Sequence, residues 1–305
     1  MTETTVEPKA AIRTPVSVTW GVVRTMRPRQ WVKNVLVLAA PFAAGMLFSA
    51  DIATALAVAF VAFSLAASGI YLVNDAKDVA ADRAHPTKRL RPIASGIVPV
   101  PLALGVATAL LLGALAVSFV AGPDLAIVVA VYMAVQLAYC FWLKHQPVLD
   151  ICIVASGFLL RAIAGGAATG IALSQWFLLC AGFGSLFMVA GKRYAEMMLT
   201  ERTGAKIRKS LEGYSASYLR FVWACSATVL IMTYCLWAFQ IREEQPHNTV
   251  WTMLSIVPFV VAVLRYAVDV DNGNGGEPED IALGDRVLQV LAAGWLVMLA
   301  LAIYL

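Results

Sequence analysis

Long apolar runs, broken by short polar stretches, set the pattern of this chain. They read as about nine spans, at 34–50, 52–73, 97–121, 124–143, 148–169, 171–191, 215–240, 249–268 and 284–305, most of them close to the ~20 residues a helix needs to cross a bilayer. The first is short and carries Pro41, so its limits are the least defined. Before it, "VSVTWGVVRTMRPRQWVKN" mixes apolar residues with Arg24, Arg27, Arg29 and Lys33. That reads as an interfacial helix feeding the first span, or as a basic flank that only fixes topology. The polar residues ahead of it, including Glu3, Glu7, Lys9 and Arg13, lead into no apolar region with a cleavage site, so no signal peptide is expected. The pattern predicts an all-α, polytopic membrane protein. A polar tail and the start of the interfacial helix cover 1–23, and a single membrane domain covers 24–305.

Composition excludes the soluble alternative. Of 305 residues 60% are hydrophobic and 14% charged, with a mean hydropathy of +0.77. A soluble domain of this length cannot hide so much apolar surface. Cys140, Cys152, Cys180, Cys225 and Cys235 all fall inside apolar runs without metal-ligand spacing and read as small packing residues. Nearly all the bases lie in the N-terminal flank and in the loops 74–96 and 192–214, while the alternate loops near 51, 122, 170 and 245 hold only Arg242. Cytoplasmic loops carry the Lys and Arg excess. The N-terminus and both basic loops are therefore expected in the cytoplasm, in a cell's inner (plasma) membrane. The acidic, Gly-rich "DVDNGNGGEPEDIALGDR" (269–286) falls on the same side and reads as a flexible connector or a lid.

Charge beside the second span changes the picture. In "NDAKDVAADRAHPTKRLRP", Asn74, Asp78 and Asp82 follow N-x3-D-x3-D. Steps of four put side chains on one helix face, with Cβ atoms ~5–6 Å apart. Like charges so close repel unless a cation or bases offset them. Oxygen-only ligands suit Mg²⁺, which one or two carboxylates hold together with substrate phosphates. Asp75 points off this face and can pair with a base. Arg83, Lys88, Arg89 and Arg91 follow and suit phosphate. A solvated loop that only sets topology needs bases but gains nothing from three ordered acids. Acids for a metal beside bases for phosphate are the composition of a diphosphate site.

"NDAKDVAADRAHPTKRLRPIASG" resembles the first aspartate-rich motif of the UbiA-type intramembrane prenyltransferases, and the spans with large loops after the second and sixth also match that superfamily. The resemblance implies its fold, with the helices around a polar cavity facing the cytoplasm. It also implies Mg²⁺ as cofactor, held by Asn74, Asp78 and Asp82, which are the catalytic candidates. "RPRQWVKN" (27–34), "HPTKRLRPIASG" (85–96) and "GKRYAEM" (191–197) look most like an actinobacterial branch. That branch joins phosphoribosyl pyrophosphate to decaprenyl phosphate for cell-wall arabinan. The expected partners are thus phosphoribosyl pyrophosphate, a polyprenyl phosphate lipid and the membrane. Nucleic acid is not expected, and a homo-oligomer stays open. Ordinary members carry a second aspartate motif after the sixth span. Here that stretch offers Glu196, Glu201 and Glu212 but is dominated by Lys192, Arg193, Arg202, Lys206, Arg208, Lys209 and Arg220. Bases there suit a more anionic pair of substrates.

On the same resemblance Lys33 and Asn34 at the mouth of the first span, with Arg83, Lys88, Arg89, Arg91, Lys192, Arg193, Tyr194 and Glu196, are substrate-binding candidates. Lys33 is equally a snorkelling anchor. Arg161 lies inside the fifth span, which Asp150 opens. An ionisable residue within a span is a functional candidate, since lipid exposure is costly. Arg161 lines the cavity or pairs with an acid from another helix, because Asp150 is too far along the same one. Tyr214 and Tyr218 read as interfacial aromatics. His85 has no evident metal partners, and His145 and His247 read as loop residues. Gly166 and Gly170 have the spacing of tight helix packing. Two rival functions remain: transfer of a prenyl group from a prenyl diphosphate to an aromatic acceptor, and a non-enzymatic transporter or lipid binder. The first is weakened by the missing second aspartate cluster. The second leaves N-x3-D-x3-D unexplained.

Overall fold

Backbone groups inside a bilayer have no water to bond, so each apolar run must close its hydrogen bonds within itself or with neighbouring strands. The computed structural model describes residues 14–203, 211–244, 249–272, 281 and 284–305, and every regular element among them is helical. In order these are α1 (Pro15–Met26), a 3₁₀ segment (Pro28–Leu38), α2 (Ala39–Ala43), α3 (Ala50–Lys77), α4 (Val79–Ala84), α5 (Val100–Ser118), α6 (Pro123–Phe141), α7 (Leu149–Thr169), α8 (Gln175–Thr203), α9 (Ala216–Glu244), α10 (Thr249–Asp271) and α11 (Arg286–Tyr304). Short 3₁₀ turns, Lys88–Leu90 and Leu143–His145, follow α4 and α6. The tail 1–13, the bases Lys206, Arg208 and Lys209, His247, and 273–280 of the Gly-rich connector lie outside the described residues.

Eight helices, α3 and α5 to α11, are long and apolar enough to cross a membrane among the described residues. They fall on the second to ninth expected spans. The first, 34–50, is not a continuous helix. Its residues belong to the 3₁₀ segment, to the five-residue α2 and to the turns that follow. A 3₁₀ turn rises ~2.0 Å per residue, so three residues climb ~6 Å, the same as four residues of α-helix. The partners use this match. Trp31 Nε1 donates to Ser68 Oγ at 3.1 Å, and Asn34 Nδ2 donates to Ser64 Oγ at 2.9 Å. Side chains three apart in a 3₁₀ turn thus meet serines four apart on α3.

The chain divides into two compact units, residues 1–35 with 57–141, and residues 36–56 with 142–305. In the first unit, Thr14 caps α1 through a capping box with Ser17, and Pro15 opens the helix. Leu72, Val73, Ile93, Val98, Ala103 and Ala107 form a buried core. In the second unit, Phe187, Tyr194, Trp223, Leu230 and Tyr266 belong to a large core on α8, α9 and α10. Tyr234 stacks on Phe259 with ring centroids 3.8 Å apart and accepts a hydrogen bond from Trp295 Nε1. Close backbone approach falls at Gly165, where a Cβ would stand 1.9 Å from the Val37 carbonyl oxygen. This corrects the expectation for Gly166 and Gly170. A Cβ at Gly166 would meet Ile171 and Leu173 of the following turn, whereas Gly170, at φ +69, caps α7 with nothing near it.

The expected loop 192–214 is helix as far as Thr203. After Gly191 the residues KRYAEMMLTERT contain neither glycine nor proline and are mostly strong helix formers. Lys192, Arg193, Tyr194 and Glu196 therefore sit on α8. All five cysteines are free thiols. Cys140 is buried, but Cys152 and Cys225 are exposed on the membrane-spanning α7 and α9.

Candidate active site

The acidic segment of the first unit straddles the junction of α3 and α4. Asp78 sits at that junction with φ −89° and ψ 7°. The hydrogen-bond ladder nevertheless runs through it, from Asp78 N–H to Asn74 O at 2.9 Å and from Asp82 N–H to Asp78 O at 2.8 Å. The four-residue spacing of Asn74, Asp78 and Asp82 is kept by these bonds. Asn74 and Asp78 are partly exposed.

Asp82 and Asp75 have another surrounding. Their side chains are 5% and 3% exposed. Arg91 Nη1 reaches both, 2.7 Å from Asp82 Oδ2 and 3.2 Å from Asp75 Oδ1. Arg27 Nη2 lies 2.8 Å from the same Asp75 oxygen, and its guanidinium carbon is 4.6 Å from the centre of the Tyr71 ring. Two carboxylates and two guanidiniums thus balance in one network. A buried ion pair is tolerable when its hydrogen bonds are made in this way. Asp75 pairs with bases, as expected. Asp82, expected beside a metal, is instead bonded to Arg91. That pairing also takes a donor of Arg91 away from substrate phosphate. Arg83 Nε donates to Ala94 O at 3.0 Å, which ties the two ends of the 83–94 segment together. Arg83 and Arg89 are exposed and Lys88 partly so. His85 Nδ1 lies within hydrogen-bonding distance of the Thr87 and Lys88 backbone nitrogens, so it shapes the turn.

The donor set suits a hard cation. Asn74 and Asp78 offer oxygens one helical turn apart, and Mg²⁺ takes one or two carboxylates with the remainder from phosphates and water. No cluster of three His, Cys, Asp or Glu residues able to hold a metal occurs among the described residues. A protein share of two oxygens fits an ion whose other ligands arrive with a diphosphate. Asn34, expected to bind substrate, is fully buried and bonded to Ser64. Lys33 is partly exposed.

The second unit holds its own charged cluster. Asp150 opens α7 and is 1% exposed. It accepts a hydrogen bond from the Tyr214 hydroxyl, and Arg193 Nη2 lies 3.5 Å from its Oδ2. Arg193 Nη1 is 3.4 Å from Glu196 Oε2. The Tyr214 hydroxyl also accepts from the Val148 N–H. Val148 has φ +70°, a strained conformation for a β-branched residue. Burial, then the Asp150 carboxylate, push the Tyr214 phenol well above its ordinary pKa. Tyr214 is therefore a hydrogen-bonding brace and not a belt aromatic, although it stacks on Tyr218. Arg193 is buried between two acids, which leaves Lys192 the more accessible base of that pair. Tyr194 is buried, stacks on Trp223 and donates to Asp271 Oδ1 at 3.0 Å. Arg161 is buried, donates to the Gly157 carbonyl one turn back and stands 5.9 Å from the Phe158 ring centre.

The sequence reading missed Arg27 as a site residue and Asp271 as the partner of Tyr194. The signal for Arg27 was a base just outside the span that faces an odd acid, Asp75. Asp271 carried no signal, because 77 positions separate it from Tyr194.

Such an acid-lined helix end with a basic segment, carried on membrane-spanning helices, is the form of an intramembrane transferase acting on diphosphates. The chain belongs to the UbiA prenyltransferase family, whose model matches residues 35–283. It is 58% identical to a decaprenyl-phosphate phosphoribosyltransferase of Mycolicibacterium smegmatis, over 95% of this chain and 94% of that one. A protein of the same name from Corynebacterium glutamicum is 55% identical over 99% of this chain and 92% of its own length. Another, from Mycobacterium tuberculosis, is 58% identical over 95% and 96%. The fold matches a UbiA homologue from Archaeoglobus fulgidus bound to DMAPP and Mg²⁺, with a TM-score of 0.71 at 16% identity, covering 93% of this chain and 99% of that one. The protein is thus a multi-pass membrane protein of this enzyme family.

Proposed function

We propose that this chain transfers the 5-phosphoribosyl group of phosphoribosyl pyrophosphate to a polyprenyl phosphate, decaprenyl phosphate among them, and releases pyrophosphate. The reaction takes place at the cytoplasmic face of the plasma membrane and supplies precursor for cell-wall arabinan. The observation that carries this reading is 55–58% identity, along almost the whole chain, to three transferases of that name. The absence of a second aspartate pair on α8, where bases stand instead, supports it.

Chemically, a non-bridging oxygen of the acceptor phosphate attacks C1 of the ribose. The bond from C1 to the diphosphate oxygen breaks, and pyrophosphate leaves with the electron pair. The acceptor is already an anion, so no general base is needed. Asn74 and Asp78 would hold Mg²⁺, which would supply charge neutralisation for the leaving diphosphate. Arg83, Lys88 and Arg89 hold the same phosphates directly. Lys33, Arg161 and Lys192 are the further candidates for contact with substrate.

Purified protein incubated with Mg²⁺, phosphoribosyl pyrophosphate labelled in the ribose, and decaprenyl phosphate is expected to move label into a lipid-soluble product. No transfer there, with transfer of a prenyl group from a prenyl diphosphate to an aromatic acceptor, would replace this reading with the other chemistry of the family. Direct attack also fixes the stereochemistry. The α-linked donor is expected to give a β-linked ribosyl lipid, read from the NMR signal of the anomeric carbon. An α-linked product would require a covalent intermediate. Glu196 is the carboxylate best suited by sequence to form one, and Arg193 already pairs with it.

A further inference from the structure

We infer that Asp82 is a positioning residue, which acts through Arg91 to aim the basic segment 83–90 at phosphate, and that it is not a ligand of the metal. The inference deepens the role of the site proposed above and rests on that reading.

The geometry has three parts. First, Asp82 already holds a base through one of its two oxygens. Its Oδ2 lies 2.7 Å from Arg91 Nη1, the length of a strong charge-assisted hydrogen bond, and its side chain is 5% exposed. An ion taking that oxygen would have to displace a guanidinium from a nearly closed site. Second, Arg91 is held at two points by one nitrogen, since Nη1 also reaches Asp75 Oδ1. Arg27 completes the network on Asp75. Four side chains with no net charge have no charge left over to attract a cation, whereas they do fix where Arg91 sits. Third, Asp82 and Arg91 bracket the segment that carries Arg83, Lys88 and Arg89. Asp82 is on α4, and Arg91 immediately follows the 3₁₀ turn Lys88–Leu90. Closing the ion pair therefore closes the loop, and the Arg83 to Ala94 hydrogen bond pins it again. Three long basic side chains on an open loop would lose much conformational freedom on gripping a diphosphate. A loop already closed loses less. Two carboxylates one turn apart thus act differently, because Asp78 is partly exposed whereas Asp82 is buried against Arg91.

The test uses inorganic pyrophosphate as probe, the group shared by phosphoribosyl and prenyl donors. Its outcome therefore does not depend on which donor is correct. Binding to the purified full-length protein in detergent is measured by calorimetry across a Mg²⁺ titration. This gives a pyrophosphate Kd at saturating Mg²⁺ and a half-saturating Mg²⁺ concentration. Asp82→Asn is expected to weaken pyrophosphate about 10-fold or more, the loss of one charge-assisted hydrogen bond, with half-saturating Mg²⁺ unchanged. Asp78→Asn is expected to raise half-saturating Mg²⁺. The double variant Asp82→Asn/Arg91→Gln is expected to bind no worse than Arg91→Gln alone, because the two act as one device. Two results overturn the inference: Asp82→Asn raising half-saturating Mg²⁺ as far as Asp78→Asn does, or its effect adding in full to that of Arg91→Gln. If Asp82→Asn does not fold, Arg91→Lys carries the test. A lysine Nζ sits one atom nearer the backbone than an arginine Nη and so cannot bridge Asp82 and Asp75 from the same place, so pyrophosphate should again weaken with the Mg²⁺ requirement unmoved. An unweakened Arg91→Lys equally overturns it.

Discussion

At the scale of single residues, acids that look alike in the sequence part company according to what surrounds them. Asp78 is partly exposed at a helix junction, whereas Asp75 and Asp82 are drawn into the arginine network. Asp78→Asn is expected to lower phosphoribosyl transfer by about 100-fold or more, the scale of losing one charge-stabilising group, with an unaltered melting temperature. Turnover near the normal rate at low Mg²⁺ would remove Asp78 from the site. Asp150 is a different case, because it is buried and braced. Asp150→Ala leaves Arg193 with Glu196 as its acid and leaves the Tyr214 hydroxyl without its acceptor. Breaking a buried pair from one side costs about 3 kcal/mol or more, read as a lower melting temperature in detergent. The same brace has a pH signature. The Tyr214 pKa is raised in the folded protein, so its contribution is fully present below the ordinary phenol pKa and is lost as pH rises beyond it. Wild-type stability is therefore expected to fall above about pH 10, and Tyr214→Phe to flatten that fall. An unchanged alkaline profile in the variant would assign the titration elsewhere. The four-residue ladder that joins Asn74, Asp78 and Asp82 was legible from spacing alone. The Asp82 contact with Arg91 was not, since spacing gives the face of a helix but not which base folds back onto it.

At the scale of elements, hydropathy located seven of the membrane-spanning helices to within a few residues, because helices in lipid have one way to satisfy their backbone. It took 34–50 for one continuous helix, which the chain does not form there, for a physical reason. The segment 28–38 winds as a 3₁₀ helix whose rise brings Trp31 and Asn34 level with Ser68 and Ser64, and no window of apolar residues reports winding. It also ended the sixth span too soon, since α8 carries its charged end as helix well past the last apolar residues. The tightest joint of the second unit, Gly165 against the Val37 carbonyl, was likewise read one residue away, because GxxxG spacing favours Gly166 and Gly170. Gly165→Ala is expected to destabilise by roughly 1–3 kcal/mol or more, the range for forcing an extra carbon into a packed site, since its Cβ would lie 1.9 Å from backbone oxygen. Gly170→Ala has open space but must adopt φ +69, so it should cost about 1 kcal/mol through the backbone alone. Comparing the two melting temperatures checks both. A Gly165→Ala protein as stable as wild type would mean that the α7 contact with Val37 gives way freely.

At the scale of the whole molecule, the remaining question is which side of the membrane each helix end faces. Bases decide it, as short loops rich in Lys and Arg stay in the cytoplasm. The ends of α3 and α8 carry Lys77, Arg83, Lys88, Arg89 and Arg91, and Lys192, Arg193 and Arg202. The α5–α6 turn at 119–123 carries none. The donor in the proposed reaction is a water-soluble cytosolic metabolite, so its phosphate-binding residues must open to the cytosol. This does not depend on how the 28–43 segment lies. Whether that segment crosses decides only the side of the N-terminus. By rise alone, 11 residues of 3₁₀ and five of α-helix span about 30 Å, the thickness of the hydrocarbon core. A crossing places the N-terminus with the basic ends. Single cysteines at Ala80, Glu201 and Asp124, in a protein with its native cysteines replaced, put this to the test in intact cells. An impermeant thiol reagent added outside is expected to label the Asp124 position and to spare the other two until the cells are opened. All three native side chains are exposed, so burial in the protein cannot stand in for membrane shielding. Labelling of Ala80→Cys or Glu201→Cys from outside would reverse the orientation and place the Asn74–Asp78 pair where the donor is absent.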